Sequence, residues 1–393
     1  MVKKDRQQSC YTLAYQKKIM ILRFYQSHLQ KYLTPSQFLV MTILLSLMQS
    51  EKQVRLERLS RVFPCLITAE SRRRKLQRFL DLPNLTIELI WFPLITYWLT
   101  TYCRVGTRLS IAIDRSQWGC INLFMVSLIW ERRAIPLYWS LLPKLGSSNF
   151  ESQTTNLQQV LPLFSSDKVI VLGDREFCSV DLGNWLKQKG VSFCLRLKKN
   201  HCIETEHLVW QRLDELGIVP GTSLYFQGKR VRKTQPATGF DVACKCQKNY
   251  GAWKVDEAWF ILTNLGSLQA AIDAYKQRMG IEEMFRDCKT GGYDLEGTSL
   301  KGNRLINIIL LMTRSYSLAI FEGTELRKKQ VGKYVCRRQE PKKRYRRRST
   351  FGVGLDGEKW VNYLEQYSLE VEQLMKLTRN KRRFYQQGMR RQP

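Results

Sequence analysis

Apolar positions change their spacing several times along the chain, and each change marks a different kind of element. Up to about residue 95 they recur at helical intervals, through "LAYQKKIMILRFYQSHLQKYL", "TPSQFLVMTILLSLMQ" and "VRLERLSRVFPCLITAESRRRKLQRFLDLPNLT". Thr34 is the expected N-cap of the second segment, and Pro35 takes the first helical position, where a missing N–H costs nothing. From about residue 107 the pattern becomes β-branched and nearly continuous. "RLSIAIDRSQW", "INLFMVSLIW" and "RAIPLYWSLLP" read as three consecutive strands, with breaks near Gly119 and at Glu131-Arg132-Arg133. A helix over "NFESQTTNLQQVLPLF" follows, then a short strand "KVIVLGDREF" ending in Asp174, a helix over about 179–189 and a strand "VSFCLRLK".

Residues 199–258 differ again: short strand-like pieces with Gly and Asn turns and many lysines, read as a β-rich insertion. "WFILTNL" resumes a core strand, and "SLQAAIDAYKQRMGIEEMFRDCKT" reads as one long helix opened by Ser267. A second helix, "RLINIILLMTRSYSLAIFEG", comes after it. Between Arg327 and Arg348 there are twelve Lys or Arg and one acid, Glu340. Such a run is expected to be solvated or to order against a polyanion. "GVGLDG" fits G-x-G-x-x-G but follows no apolar strand, so it is not read as a dinucleotide site. Three strands, then helix, strand, helix, strand is the order of a ribonuclease H-like α/β domain. The expected fold class is therefore α/β: a ribonuclease H-like catalytic domain at 105–325 with a β-rich insertion at about 199–258. An all-α N-terminal domain precedes it at 1–104, and a basic tail follows at 326–393.

Charge narrows the function. The 64 Lys and Arg outnumber the 34 Asp and Glu, for a net charge of +30, which calls for a polyanionic partner. The apolar runs at 38–48 and 89–99 are shorter than the ~20 residues of a spanning helix, so nucleic acid is preferred to a membrane. The start has no apolar segment of a secretory signal, and the eleven cysteines show no framework spacing, so reduced thiols in a cytoplasmic protein are expected. Within the N-terminal helices, Arg72, Arg73, Arg74, Lys75 and Arg78 suit a helix-turn-helix-like DNA contact. Three histidines leave little for a histidine triad, so catalysis is expected to run on carboxylates.

Tyr275, Arg278, Glu282, Arg286 and Lys289 follow one another at steps of three, four, four and three. On a helix these side chains share a stripe roughly 80° wide, at the border of an apolar stripe of Ile281, Met284, Phe285 and Cys288. The neighbouring Glu283 points about 100° away and is read as structural or solvated. Asp114 lies within the first core strand and Asp174 ends the fourth. A carboxylate among apolar strand residues needs a cation. With the first strand beside the fourth, Asp114 and Asp174 come together, and Glu282 reaches them from the helix. Hard oxygen ligands suit Mg2+, and two such ions would clamp the attacking and leaving oxygens of a phosphoryl transfer, with Mn2+ expected to substitute.

Tyr275-x2-Arg278-x3-Glu282-x6-Lys289 matches the Y-x2-R-x3-E-x6-K signature, and the chain resembles bacterial DDE insertion-sequence transposases of the cut-and-paste group. "VLGDREF" is similar to that group's second-aspartate motif, whereas Arg115-Ser116 stands where many relatives have Thr or an acid. The resemblance covers about residues 105–325. It implies Asp114, Asp174 and Glu282 as the metal-binding catalytic triad and Tyr275, Arg278 and Lys289 as phosphate contacts, with Arg286 on the same stripe. Trp259, in "WFILT", would stack a flipped base. It further implies binding of terminal inverted repeats and target DNA, strand cleavage and transfer, and a homodimer that synapses two ends. A nuclease that only hydrolyses, and an inactive DNA-binding derivative, are the rival readings.

Overall fold

The computed structural model describes residues 25–103, 107–164, 169–205, 209–247, 257–337 and 348–376, with 383, 386 and 387. The beginning of the first expected helix, part of the expected insertion, the basic stretch at 338–347 and most of the last residues lie outside these.

In chain order the first helices are α1 (Pro35–Glu51), α2 (Leu56–Val62) and α3 (Ala69–Leu80); a short π-helical turn (Ile87–Trp91) leads into α4 (Phe92–Tyr102). Thr34 caps α1 through a reciprocal box with Gln37, and Pro35 begins it. Then come β1 (Leu109–Trp118), β2 (Ile121–Trp130), β3 (Arg133–Leu141), α5 (Phe150–Val160), β4 (Val169–Gly173), α6 (Val180–Gln188) and β5 (Ser192–Arg196). Next are β6 (Cys202–Glu204), β7 (Trp210–Arg212), β8 (Ser223–Val231), β9 (Ala237–Lys245) and β10 (Trp259–Thr263). The chain continues through α7 (Leu268–Gln277), α8 (Met279–Cys288), α9 (Gly302–Lys328), α10 (Gly332–Val335), α11 (Thr350–Gln366) and α12 (Ser368–Lys376).

The strands form one mixed sheet in the order β3-β2-β1-β4-β5-β10-β9-β8-β6-β7. β1, β2 and β3 make an antiparallel meander, while β4 runs parallel to both β1 and β5. β4 is buried along its whole length, as a central parallel strand covered on both faces must be. β6 to β9, from the stretch read as an insertion, extend the same sheet beyond β10.

By its contacts the chain divides into two compact units. The first holds the described residues of Met1–Tyr32 together with Thr86–Phe285; the second holds Leu33–Leu85 and Arg286–Pro393. These boundaries differ from those expected at 104/105 and 325/326. The reason is α9, which packs within the second unit against α1 and α11 instead of completing a catalytic domain. Its length and composition would suit a membrane span, but 72% of its apolar window is buried inside the protein.

The segment expected to be a basic tail also contributes core. Phe351, Val353 and Leu355 of α11 are buried, with Phe351 tilted against Tyr293 and Tyr316. The "GVGLDG" glycines let α11 approach α9 closely. A Cβ on Gly354 would lie 1.8 Å from the Ala319 carbonyl oxygen, and one on Gly323 would lie 1.9 Å from the Thr350 carbonyl oxygen. We expect Gly354→Ala to destabilise the fold by about 1–3 kcal/mol despite alanine's better helix propensity, because the added methyl meets backbone. A thermal melt checks this, and a melting temperature equal to or above wild type would show that the two helices can separate at no cost.

Candidate active site

Backbone register builds the site first. The parallel ladder between β1 and β4 ends with Ile113 opposite Gly173, so Asp114 and Asp174 are the next residues on neighbouring strands. Strands in such a ladder lie about 5 Å apart, which brings the backbones of the two acids side by side and leaves the carboxylates to be set by their rotamers. Gly173 is needed here: a Cβ would sit 2.8 Å from the Cβ of Phe177 and 2.9 Å from Leu195. The tight 3-10 turn Arg175–Phe177 follows, and Asp174 caps it by accepting the Glu176 N–H at its Oδ1, 2.7 Å away. Asp114 accepts the Arg115 N–H at its own Oδ1, also at 2.7 Å.

The helix expected to be continuous from Ser267 divides at Arg278. Ser267 does cap α7, but the Arg278 N–H bonds Tyr275 and the Ile281 N–H bonds Arg278, both at 3.0 Å and three residues back. This is the tighter 3-10 pattern, so the chain is locally overwound between α7 and α8. The polar stripe therefore does not stay at the solvent border. Tyr275 and Arg278 are buried, whereas Glu282 is exposed, its side chain 44% accessible.

Arg278 is the hub. Its Nη1 lies 3.4 Å from Asp114 Oδ2 and its Nη2 pairs with Glu282 Oε1. Burial pushes the Asp114 carboxyl up to about 6, opposed by the Arg115 N–H and Arg278 and reinforced by the charges of Asp174 and Glu282. Thus all three acids act on one locus, with a guanidinium between two of them. Among the described residues, no group of three acids, histidines or cysteines is gathered closely enough to hold a metal ion.

Trp259, half-buried at the start of β10, meets Tyr275 edge-on with centroids 5.2 Å apart. Tyr275 is enclosed by that ring on one side and has the Arg278 guanidinium 5.9 Å from its ring centre. Glu283 pairs with Arg133 and is structural, as its direction on the helix implied. Arg286 and Lys289 fall in the second unit, where Lys289 pairs with Glu296 at 2.7 Å. The structure thus brings together Asp114, Asp174, Glu282, Arg278, Tyr275 and Trp259.

Two features escaped the sequence reading. Arg115 and Glu176 form an ion pair behind the acids, its Nε–O distances 2.9 and 3.0 Å. The opposite charges beside the two aspartates in "IDRS" and "GDRE" were its only signal. A cleft of about 390 Å³ also opens beyond β5, lined by Lys198, Asn200, His201, Arg232, Lys233 and Thr234. The Lys198-Lys199 pair just past the strand end was its trace in the sequence, and it lies on the same end of the sheet as Asp174.

The raised pKa of Asp114 has a sign that can be tested. A carboxyl with a raised folded pKa stabilises the fold in its protonated form, and that contribution is lost as pH rises through about 6. Without divalent ions, we expect Asp114→Asn to melt above wild type at about pH 8, by roughly 2 kcal/mol, and to lose the advantage near pH 4. Melting temperatures that agree at both pH values would show that Asp114 is under no such pressure.

Residues 151–318 match a family model described as the transposase DDE domain, a segment that contains Asp174 and Glu282 but not Asp114. No curated protein matches the chain. Among solved structures, the cryo-EM structure of the piggyBac transposase synaptic complex with hairpin DNA aligns at 10% identity and a TM-score of 0.37. The alignment covers 71% of this chain and 65% of that one, so the chain spans just under two thirds of that relative's length. The match over 151–318 makes that stretch similar to the transposase DDE domain.

Proposed function

We propose that this chain is a DNA transposase of the cut-and-paste insertion-sequence group, acting on terminal inverted repeats by strand cleavage and strand transfer. The observation that carries the reading is the placement of Asp114 and Asp174 side by side just past the parallel β1–β4 ladder, with Glu282 joined to Asp114 through Arg278, at the end of the sheet where ligands of open α/β sheets bind. The order β3-β2-β1-β4-β5 supports the ribonuclease H-like description of the first unit.

Carboxylate oxygens are the donor chemistry a hard divalent ion takes, and the three acids would have to draw closer together to hold one. Burial, reinforced by the charges of Asp174 and Glu282, raises the Asp114 carboxyl to about 6, and a hard cation would favour its ionised form. Asp114, Asp174 and Glu282 would hold Mg2+, as one or two ions, with Mn2+ substituting. Bound there, the metal would activate the attacking water and stabilise charge on the leaving oxygen. Arg278 pairs with Asp114 and Glu282, so holding an ion on those acids would require its guanidinium to give up at least one of them. Its planar fork would then suit a non-bridging phosphate oxygen. Trp259, resting on Tyr275, offers a ring for an unstacked base. The cleft at Lys198 and Lys233 would hold backbone phosphate beyond the acids, and Arg72 to Arg78 of α3 would contact the repeat elsewhere. Within α3, Arg73 and Arg74 both pair with Glu70, so DNA would have to compete for them. Two ends imply a homodimer in a synaptic complex, on DNA in the nucleoid of the cytoplasm.

We expect Asp174→Asn to bind inverted-repeat DNA as wild type does while cleaving none of it in Mg2+. Equal cleavage by the two proteins would remove the catalytic reading, and nicks with no joined product from a pre-cut end would indicate a hydrolase. For the cleft, Lys198→Ala and Lys233→Ala should each weaken end binding evenly across sequences and reduce the slope of log affinity against log salt by about 1. Binding titrations from low to moderate salt measure this, and an unchanged slope in both variants would take the cleft out of the DNA path.

A further inference from the structure

Neither acid on the sheet edge is held by its own strand alone. Asp114 Oδ1 takes its hydrogen bond from the N–H of Arg115, and Asp174 Oδ1 takes its from the N–H of Glu176. Those same two residues are joined by their side chains: Arg115 Nε donates to both carboxylate oxygens of Glu176, at 2.9 and 3.0 Å. The pair is well covered, with 17% and 18% of the side chains exposed, so water screens it less than a surface bridge. Further polar atoms of the pair are engaged as well. Arg115 Nη1 donates to Gln117 Oε1 and Asn122 Oδ1, both at 3.0 Å, and Asn122 is anchored in turn on the carbonyls of Lys144 and Gly146. Glu176 Oε1 accepts the N–H and hydroxyl of Ser148 at 3.0 and 3.1 Å. Side chains alternate across a strand, so Arg115 leaves β1 on the face opposite Asp114.

We propose that the Arg115–Glu176 pair is a positioning brace that fixes the spacing and rotamers of Asp114 and Asp174. It ties the Oδ1 of each acid down, so that Oδ2 is the atom left to meet a ligand, at Asp114 in exchange for Arg278. This inference rests on the transposase reading for what the acids do, but the brace is a property of this chain's own side chains. β1 and β4 stop pairing after Ile113 and Gly173, so nothing in the backbone ladder holds the strands together at the acids themselves. The ion pair closes that gap from behind. It also gives Arg115 a purpose at a position where the resemblance led to a smaller or acidic residue.

The test uses the full chain and Mn2+ alone as the probe, with binding followed by electron paramagnetic resonance or calorimetry in the absence of DNA. Asp174→Asn locates the ion at the acids. Glu176→Gln and Arg115→Gln, each shown to be folded by its melting curve, are expected to bind Mn2+ about 10–100-fold more weakly than wild type. At saturating DNA they should cleave ends more slowly by a similar factor, with end affinity unchanged. Arg115→Lys, which keeps a cation facing Glu176, should bind Mn2+ more tightly than Arg115→Gln. If Glu176→Gln fails to fold, Ser148→Ala removes one contact from Glu176 and should still cost a few-fold in Mn2+ affinity. Wild-type Mn2+ affinity in a folded Glu176→Gln, or in Ser148→Ala where that variant decides, overturns the brace, as does an Arg115→Lys no better than Arg115→Gln. A wild type that binds no Mn2+ at the acids overturns it too. If wild type binds Mn2+ but leaves inverted-repeat DNA uncut, the transposase reading fails while the Mn2+ comparison still judges the brace.

Discussion

Three negative side chains meet a single buried guanidinium, and the first unit is organised around that encounter. Asp114 and Asp174 are forced together by strand register, and Glu282 is added from α8. Without a cation the arrangement would be costly, since burying an unpaired carboxylate is among the more expensive things a fold can do. Arg278 supplies the cation from the overwound junction of α7 and α8, where its side chain is buried beneath neither helix's solvent face. Tyr275 lies under the guanidinium and Trp259 packs edge-on against Tyr275, so the aromatic side of the site adjoins the same ion pairs.

Much of this was legible in the residues. Acids interrupting apolar strands stand out in "SIAIDRSQW" and "VIVLGDREF", and the strand order puts β1 against β4 before any coordinate is known. Helical direction separated Glu282 from Glu283, and the structure gives Glu283 to Arg133. The break at Arg278 was not read: Arg278 pairs with Glu282 one turn on and with Asp114 at a separation of 164 residues, and the second partner lies outside any helical window. For the same reason the stripe was misplaced. Ideal periodicity put all five residues at the solvent border, but Tyr275 and Arg278 are drawn inside while Arg286 and Lys289 belong to the second unit.

The rest was hidden by distance along the chain. Arg115 and Glu176 are 61 residues apart, and a pattern read in short windows cannot join them. Leu33–Leu85 is separated from Arg286–Pro393 by the whole sheet, yet the two segments share one core, in which Ser315 of α9 donates to the Leu45 carbonyl of α1 and Gln49 of α1 donates to the Ser315 carbonyl. Charge density misled in the same region. Arg348 sits in a basic run, but it pairs with Asp356 and stands at the entrance to a buried helix. Composition averages over such a segment, whereas the glycines at 323 and 354 mark where two backbones touch.

The pairing of Ile113 with Gly173 has a consequence for how this gene can change length. In a ladder with a two-residue repeat, loss or gain of one codon within Val169–Gly173 turns every side chain after it to the other face of the sheet. Asp174 would then point away from Asp114 and toward Arg115, and no substitution nearby could restore it. The hairpin at Glu131 and Arg132, where both residues already adopt left-handed backbone, lies on the far side of β2 from this ladder and is under no such constraint. Among naturally drifting copies of the gene, insertions and deletions should therefore collect at that hairpin and be absent from the five codons of β4 wherever Asp114 and Asp174 stay side by side.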